Sequence, residues 1–125
     1  MITGEPLPLE LVEFLMSHID SIAQLEALLL LRRTPDVRWS AAEMAKRLYI
    51  SEPDALQILT HLEMHDCLGR HDEKYMFQPR SEELSRMIEL VAEYYATQLI
   101  PMTNLIHAKP RRIRQFADAF KLRKD

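Results

Sequence analysis

The sequence predicts a mainly α-helical protein with one small β-hairpin, and three observations carry that expectation. The 125 residues include only two glycines, and long stretches are rich in Leu, Ala, Glu, Met and Arg, which favour helix over sheet. Apolar residues recur at three- and four-residue intervals along most of the chain, the spacing that draws one stripe down a helix. Near the middle that period gives way to two short runs around the polar pair Asp72-Glu73, the pattern of a tight hairpin.

Each element follows in order. Pro6 and Pro8 lead into Leu9, Leu11, Val12, Leu15 and Ile19, a first short helix occupying residues 1–20 with its entry segment. Ser21 with Gln24 forms a capping-box pattern before Ile22, Leu25, Leu28 and Leu29, and Thr34-Pro35-Asp36 stops this second helix near Arg33. Val37-Arg38-Trp39 is long enough only for a stub of strand. Ser40 with Glu43 opens a third helix over Ala41 to Leu48. Ser51, with Asp54 as its partner and Pro53 tolerated in the first turn, opens a fourth that runs to about Asp66. Cys67 to His71 and Lys74 to Phe77 are the hairpin strands, ended by Pro79. Ser81 caps a fifth helix, the longest, which Pro101 should kink or end. Leu105 and Ile106 extend its stripe, and Ile113, Phe116, Ala117 and Phe120 mark a final helix.

Composition limits the class of protein. With 47% hydrophobic and 28% charged residues the chain is too apolar to be disordered. The apolar run Ala27 to Leu31 is far shorter than a membrane span, so no membrane partner is expected. A single cysteine, Cys67, has no internal disulfide partner, which favours the reducing cytoplasm. The net charge of −3 hides an asymmetry: residues 1–108 hold nine Lys/Arg against seventeen Asp/Glu, whereas residues 109–125 hold seven against two. That basic tail contains Arg111, Arg112, Arg114, Lys121, Arg123 and Lys124, which could neutralise phosphates or an acidic partner, or lie against the acidic remainder of the protein.

The order helix, stub strand, short helix, tight turn, longer helix, hairpin over residues 21–80 resembles the winged helix-turn-helix of bacterial transcription regulators. Ser40-Ala41-Ala42-Glu43-Met44-Ala45-Lys46-Arg47-Leu48-Tyr49-Ile50-Ser51 is similar to the first helix and turn of those proteins. Leu59, Leu62 and Leu68 match the apolar anchors of their recognition helix and wing. Where the family usually places glycine, at the end of the recognition helix, this chain has Asp66, a residue that tolerates the left-handed conformation better than most. With helices at both ends the layout resembles the dimeric multiple-antibiotic-resistance type, whose terminal helices pair the subunits. The resemblance implies a winged helix with N- and C-terminal dimerisation helices, residues 81–125 forming the C-terminal dimerisation segment.

Under that resemblance, Glu52, Pro53, Leu56, Gln57, Thr60 and His61 belong to the recognition surface, and Arg70, His71 and Lys74 to the wing. They make a poor DNA face. Duplex affinity comes chiefly from cations on phosphate, yet Ser51 to Asp66 contains no Lys or Arg and carries Glu52, Asp54, Glu63 and Asp66. Gln57 could read an adenine edge, and Arg70 and Lys74 could touch phosphate. Two expectations therefore stand: a non-enzymatic, transcription-associated regulator binding DNA or a regulatory protein, or an interaction adaptor that keeps the fold without binding DNA.

Other constellations are weaker. His61, His65, Cys67 and His71 are competent metal ligands but match no familiar zinc spacing; solvent-facing histidines and a buried structural cysteine are expected, with no metal and no cofactor. No Gly-rich turn, activated nucleophile or carboxylate pair suggests catalysis. Trp39, Tyr75 and Phe77 read as aromatic packing between hairpin and helices. Along the fifth helix Leu84, Met87, Ile88, Val91, Tyr94, Tyr95 and Leu99 offer more apolar surface than a small domain needs, and a homodimer is expected there.

Overall fold

A computed structural model describes residues 7–109. The order is α1 (Leu9–His18), α2 (Ile22–Arg33), α3 (Ala41–Leu48), α4 (Glu52–Met64), β1 (Leu68–His71), β2 (Lys74–Phe77) and α5 (Glu82–Thr97). A further helical segment covers residues 99–109. The molecule is thus mainly helical with one small antiparallel sheet, in which Leu68 pairs with Phe77 and His71 with Lys74. The final helix expected around Phe116 and the whole basic tail, Arg111 to Lys124, lie outside the described residues.

The helix starts follow from local chemistry. Ser21, Ser40, Ser51 and Ser81 each accept a hydrogen bond from the backbone N–H three residues on, satisfying a donor that the first helical turn leaves free. At Ser40 the box is complete, because the Glu43 carboxylate also accepts from the Ser40 N–H at 2.9 Å. At Ser21 it is displaced by one residue: the Gln24 side chain accepts from the N–H of Asp20 instead. The fourth helix is shorter than its sequence suggested. It stops at Met64, and Asp66 takes φ 67°, the left-handed conformation in which a short polar side chain is tolerated. The fifth ends at Thr97, and Pro101 falls in the first turn of the 99–109 helix, where its missing N–H costs no hydrogen bond.

The core is organised around α2. Leu25, Ala27, Leu28, Leu29, Leu30 and Leu31 are all buried, so this helix is apolar on nearly every side and must be covered all round. α3, α4 and β2 pack on it. α1 turns away from α2 by 106° and contributes Leu11, Phe14, Leu15 and Ile19 to the same core. α5 is bound to α2 by a two-pronged Arg32–Glu89 ion pair and by a hydrogen bond from the Tyr95 hydroxyl to Glu26, so the two helices run antiparallel. Trp39 exchanges two backbone hydrogen bonds with Tyr75 at 2.7 and 2.8 Å, adding a third extended piece beside the hairpin. Its indole N–H donates to the Thr34 hydroxyl, Tyr75 is buried, and Phe77 packs against the core.

Among the described residues no single helix is long and apolar enough to cross a membrane.

Because Leu28 is fully enclosed, Leu28→Ala should lower unfolding free energy by about 2–5 kcal/mol. Ser40→Ala, which removes one arm of the capping box, should cost about 1 kcal/mol. Urea titration of each variant, with the midpoint shifting at constant slope, checks both values.

Candidate binding groove and histidine junction

Two places gather chemically capable side chains. The first is a groove of about 510 Å³ between the start of α3, the outer face of α4 and the hairpin, lined by Ser40, Glu52, Leu56, Arg70, Lys74 and Tyr75 among others. The capped start of α3 lends it small side chains, Ala41 and Ala42. α4 presents Glu52, Pro53, Leu56 and Gln57 to solvent, because Ala55, Ile58, Leu59 and Leu62 take the buried side. Thr60 is half-buried and turns its hydroxyl back to the carbonyls of Leu56 and Gln57. The groove therefore brings together four of the nine residues expected on a recognition surface and wing, Glu52, Leu56, Arg70 and Lys74.

Its electrostatics differ from a phosphate-binding surface. Arg70 lies 3.7 Å from Glu63 of α4, and Lys74 lies 3.6 Å from Glu43 of α3. Each hairpin cation is thus paired with a carboxylate of the neighbouring helix. Bonds from the Ser40 backbone and the positive charge of Lys74 hold the Glu43 carboxyl below its ordinary range, so it stays ionised. His71 is occupied by the Gln78 side chain at 3.1 Å. A Cβ at Gly69 would meet the end of the exposed Gln78 side chain, which would have to turn aside. With Glu52 and Glu73 also on the groove, the surface carries both signs of charge and no unopposed cationic strip.

The second place corrects two expectations. His61 does not belong to the outward face of α4, and neither it nor His65 is solvent-facing. His61 Nε2 lies 2.6 Å from the His18 carbonyl oxygen, His65 Nδ1 lies 2.8 Å from His18 Nδ1, and the rings of His61 and His65 stack at 4.3 Å. His18, the third member, was not singled out from the sequence: forty-seven residues separate it from His65, and no local spacing signals the contact. Cys67 is buried beside this junction, its Sγ 3.6 Å from the His65 carbonyl oxygen. Burial first, and the Asp66 charge second, push its thiol up to about 12, which suppresses the reactive thiolate. Groups of three or more His, Cys, Asp or Glu arranged to hold a metal ion do not occur among the described residues.

The apolar face of α5 is also corrected in part. Met87, Ile88 and Val91 are buried within one chain, because α5 must cover α1 and α2, and they are unavailable to a second copy. Tyr95 is tied to Glu26, and Leu84 and Tyr94 are half-buried against the core. Leu99 is exposed, together with its neighbour Ile100, which the sequence reading had passed over.

No family model and no curated protein matches the chain. Among solved structures it is similar to one described as "PigF with SAH", at 24% identity and a TM-score of 0.44. The match covers 77% of this chain and 31% of that one, so this chain spans about a third of the length of the protein it resembles. The expectation of a non-enzymatic regulator is corrected on this finding: the neighbour is described with SAH, not as a regulator or adaptor. A likeness at that TM-score assigns no reaction to this chain.

With its cations already paired, the groove should show no salt-dependent affinity for random duplex DNA, and Arg70→Ala with Lys74→Ala should change retention by less than about twofold. A low-salt gel shift measures this. Cys67 should be modified by a thiol reagent at least about tenfold more slowly in the folded chain than after denaturation.

Proposed function

We propose that the chain is a winged-helix-type module whose biochemical role is association, pairing with a second copy of itself through the layer formed by α5 and the 99–109 helix. The succession α2, Trp39 bridge, α3, turn, α4 and hairpin, with Trp39 paired to Tyr75, supports the winged-helix reading of residues 21–80. The observation that carries the association is an apolar step at the start of the 99–109 helix. Leu99 is 49% exposed and Ile100 70% exposed, while Met102 and Ile106 on the other side of the same helix are buried.

The chemistry around that step favours a second copy over an unlike partner. In a two-fold interface the same patch meets itself, so any charge at its centre faces a like charge. Residues 94–106 contain no Asp, Glu, Lys or Arg, and they surround Leu99 and Ile100 with Ala96, Thr97, Gln98, Pro101, Thr103 and Asn104. Such a surface is complementary to itself. A stable pair needs roughly 800 Å² from each partner, which extends the contact from the step toward the half-buried Leu90 and Tyr94. A buried, unreactive single cysteine supports placing this module in a reducing, cytoplasmic compartment.

The mass in solution tests the proposal. Light scattering should give twice the 14.7 kDa of one chain, and Ile100→Glu should weaken pairing by about 100-fold or more by burying a charge at the two-fold centre. Met64→Glu, at an exposed position on α4, should leave the mass unchanged. A monomeric wild-type chain, or an Ile100→Glu variant that still pairs, would overturn the reading.

A further inference from the structure

The histidine junction has a proton requirement that the rest of the fold does not share. His18 Nδ1 and His65 Nδ1 are 2.8 Å apart, a separation that accommodates one proton: one ring donates, and the other must be without a proton on that nitrogen. The His18 carbonyl oxygen can only accept, so His61 donates to it from Nε2. Protonating both His18 and His65 would point two N–H groups at each other and place two positive charges in contact.

The surroundings give little relief. From the 99–109 helix, Lys109 reaches into this corner with its ammonium group 2.6 Å from Asp20 and donating to the Ile19 carbonyl at 2.8 Å. Lys109 is buried, so a cation is already enclosed there. Of the nearby anions, Asp20 is engaged by Lys109 and lies 4.0 Å from His61 Nδ1, and Asp66 is engaged by Arg80 at 3.7 Å. Phe14 packs 4.6 Å from the His18 ring, and Cys67 contributes a neutral thiol. Three elements therefore close on one another here: the end of α1, the end of α4 and the end of the 99–109 helix.

We propose that this junction is an acid-sensitive latch: protonation of both His18 and His65 parts the end of α1 from α4 and loosens the 99–109 helix anchored beside them. Burial, and then the neighbouring positive groups, hold His18 and His65 below the ordinary histidine value, in keeping with that geometry. The direction of the effect follows. Above about pH 7 the rings are neutral whether the latch is closed or open, and nothing is lost. As pH falls below about 6.5 the open form takes up protons that the closed form resists, so the closed form loses stability until its own lowered values are reached. Its hydrogen bond to Lys109 keeps the Asp20 carboxyl below its ordinary value, so Asp20 stays ionised through this window.

Hydrogen–deuterium exchange of the full chain at about pH 7.5 and about pH 5.5, corrected for intrinsic rates, tests the latch. Amides of residues 99–109 and of the end of α1 should exchange at least about fivefold faster at the acid pH, while those of α2 keep their protection. His65→Gln and His18→Asn should abolish the acid response, and His71→Gln, on the hairpin, should preserve it. Equal protection of residues 99–109 at both pH values, or an undiminished response in both junction variants, would overturn the proposal. Should those variants not fold, the wild-type histidine resonances decide: His18 and His65 must titrate below the ordinary histidine value of about 6.5, and titration at or above it rejects the latch.

Discussion

The burial of α2 on nearly all sides is the constraint from which the rest of the structure follows. A helix with six buried residues among its twelve cannot lie at a surface, so other elements must be laid on it from more than one direction. α3, α4 and the hairpin cover one side, and α5 is tied alongside another by Arg32–Glu89 and Tyr95–Glu26. The charged ends of that arrangement sit at its rim, where Arg32 meets Glu89 in an ion pair exposed enough to contribute little stability by itself. Apolar enclosure holds the layers together, and the rim contacts set their register.

Covering α2 in this way decides what remains for association. α5 spends Met87, Ile88 and Val91 on its own chain, and the surface it leaves outward is mainly polar. Past the break at Gln98 the chain presents Leu99 and Ile100 instead, because Met102 and Ile106 must turn inward to complete the core. Packing within the chain and the proposed pairing between chains are therefore two sides of one helix. The same enclosure brings the far end of that helix, with Lys109, onto the corner where α1 and α4 meet.

The hairpin side obeys a different rule. Arg70 and Lys74 stand beside α4 and α3, and both helices offer carboxylates at the matching height, Glu63 and Glu43. Exposed pairs of this kind add little to stability, but they neutralise the potential that a nucleic acid would need. Tertiary pairing, invisible along the chain, sets a carboxylate beside each of these two cations.

Sequence by itself determined the elements. Serine caps, prolines, the left-handed Asp66 after the fourth helix and the three-to-four spacing of apolar residues are local signals, written within a few residues of where they act. It also determined that α4 carries no Lys or Arg, and that Ala55, Leu59 and Leu62 face inward. Only tertiary structure decided which groups share a site. His18 meets His65 across forty-seven residues, Lys109 meets Asp20 across eighty-nine, and α5 turns its heptad face to its own core because α2 demands cover. Such contacts depend on how whole helices cross, and helix crossing is settled by the packing of many side chains at once, not by any short run of residues.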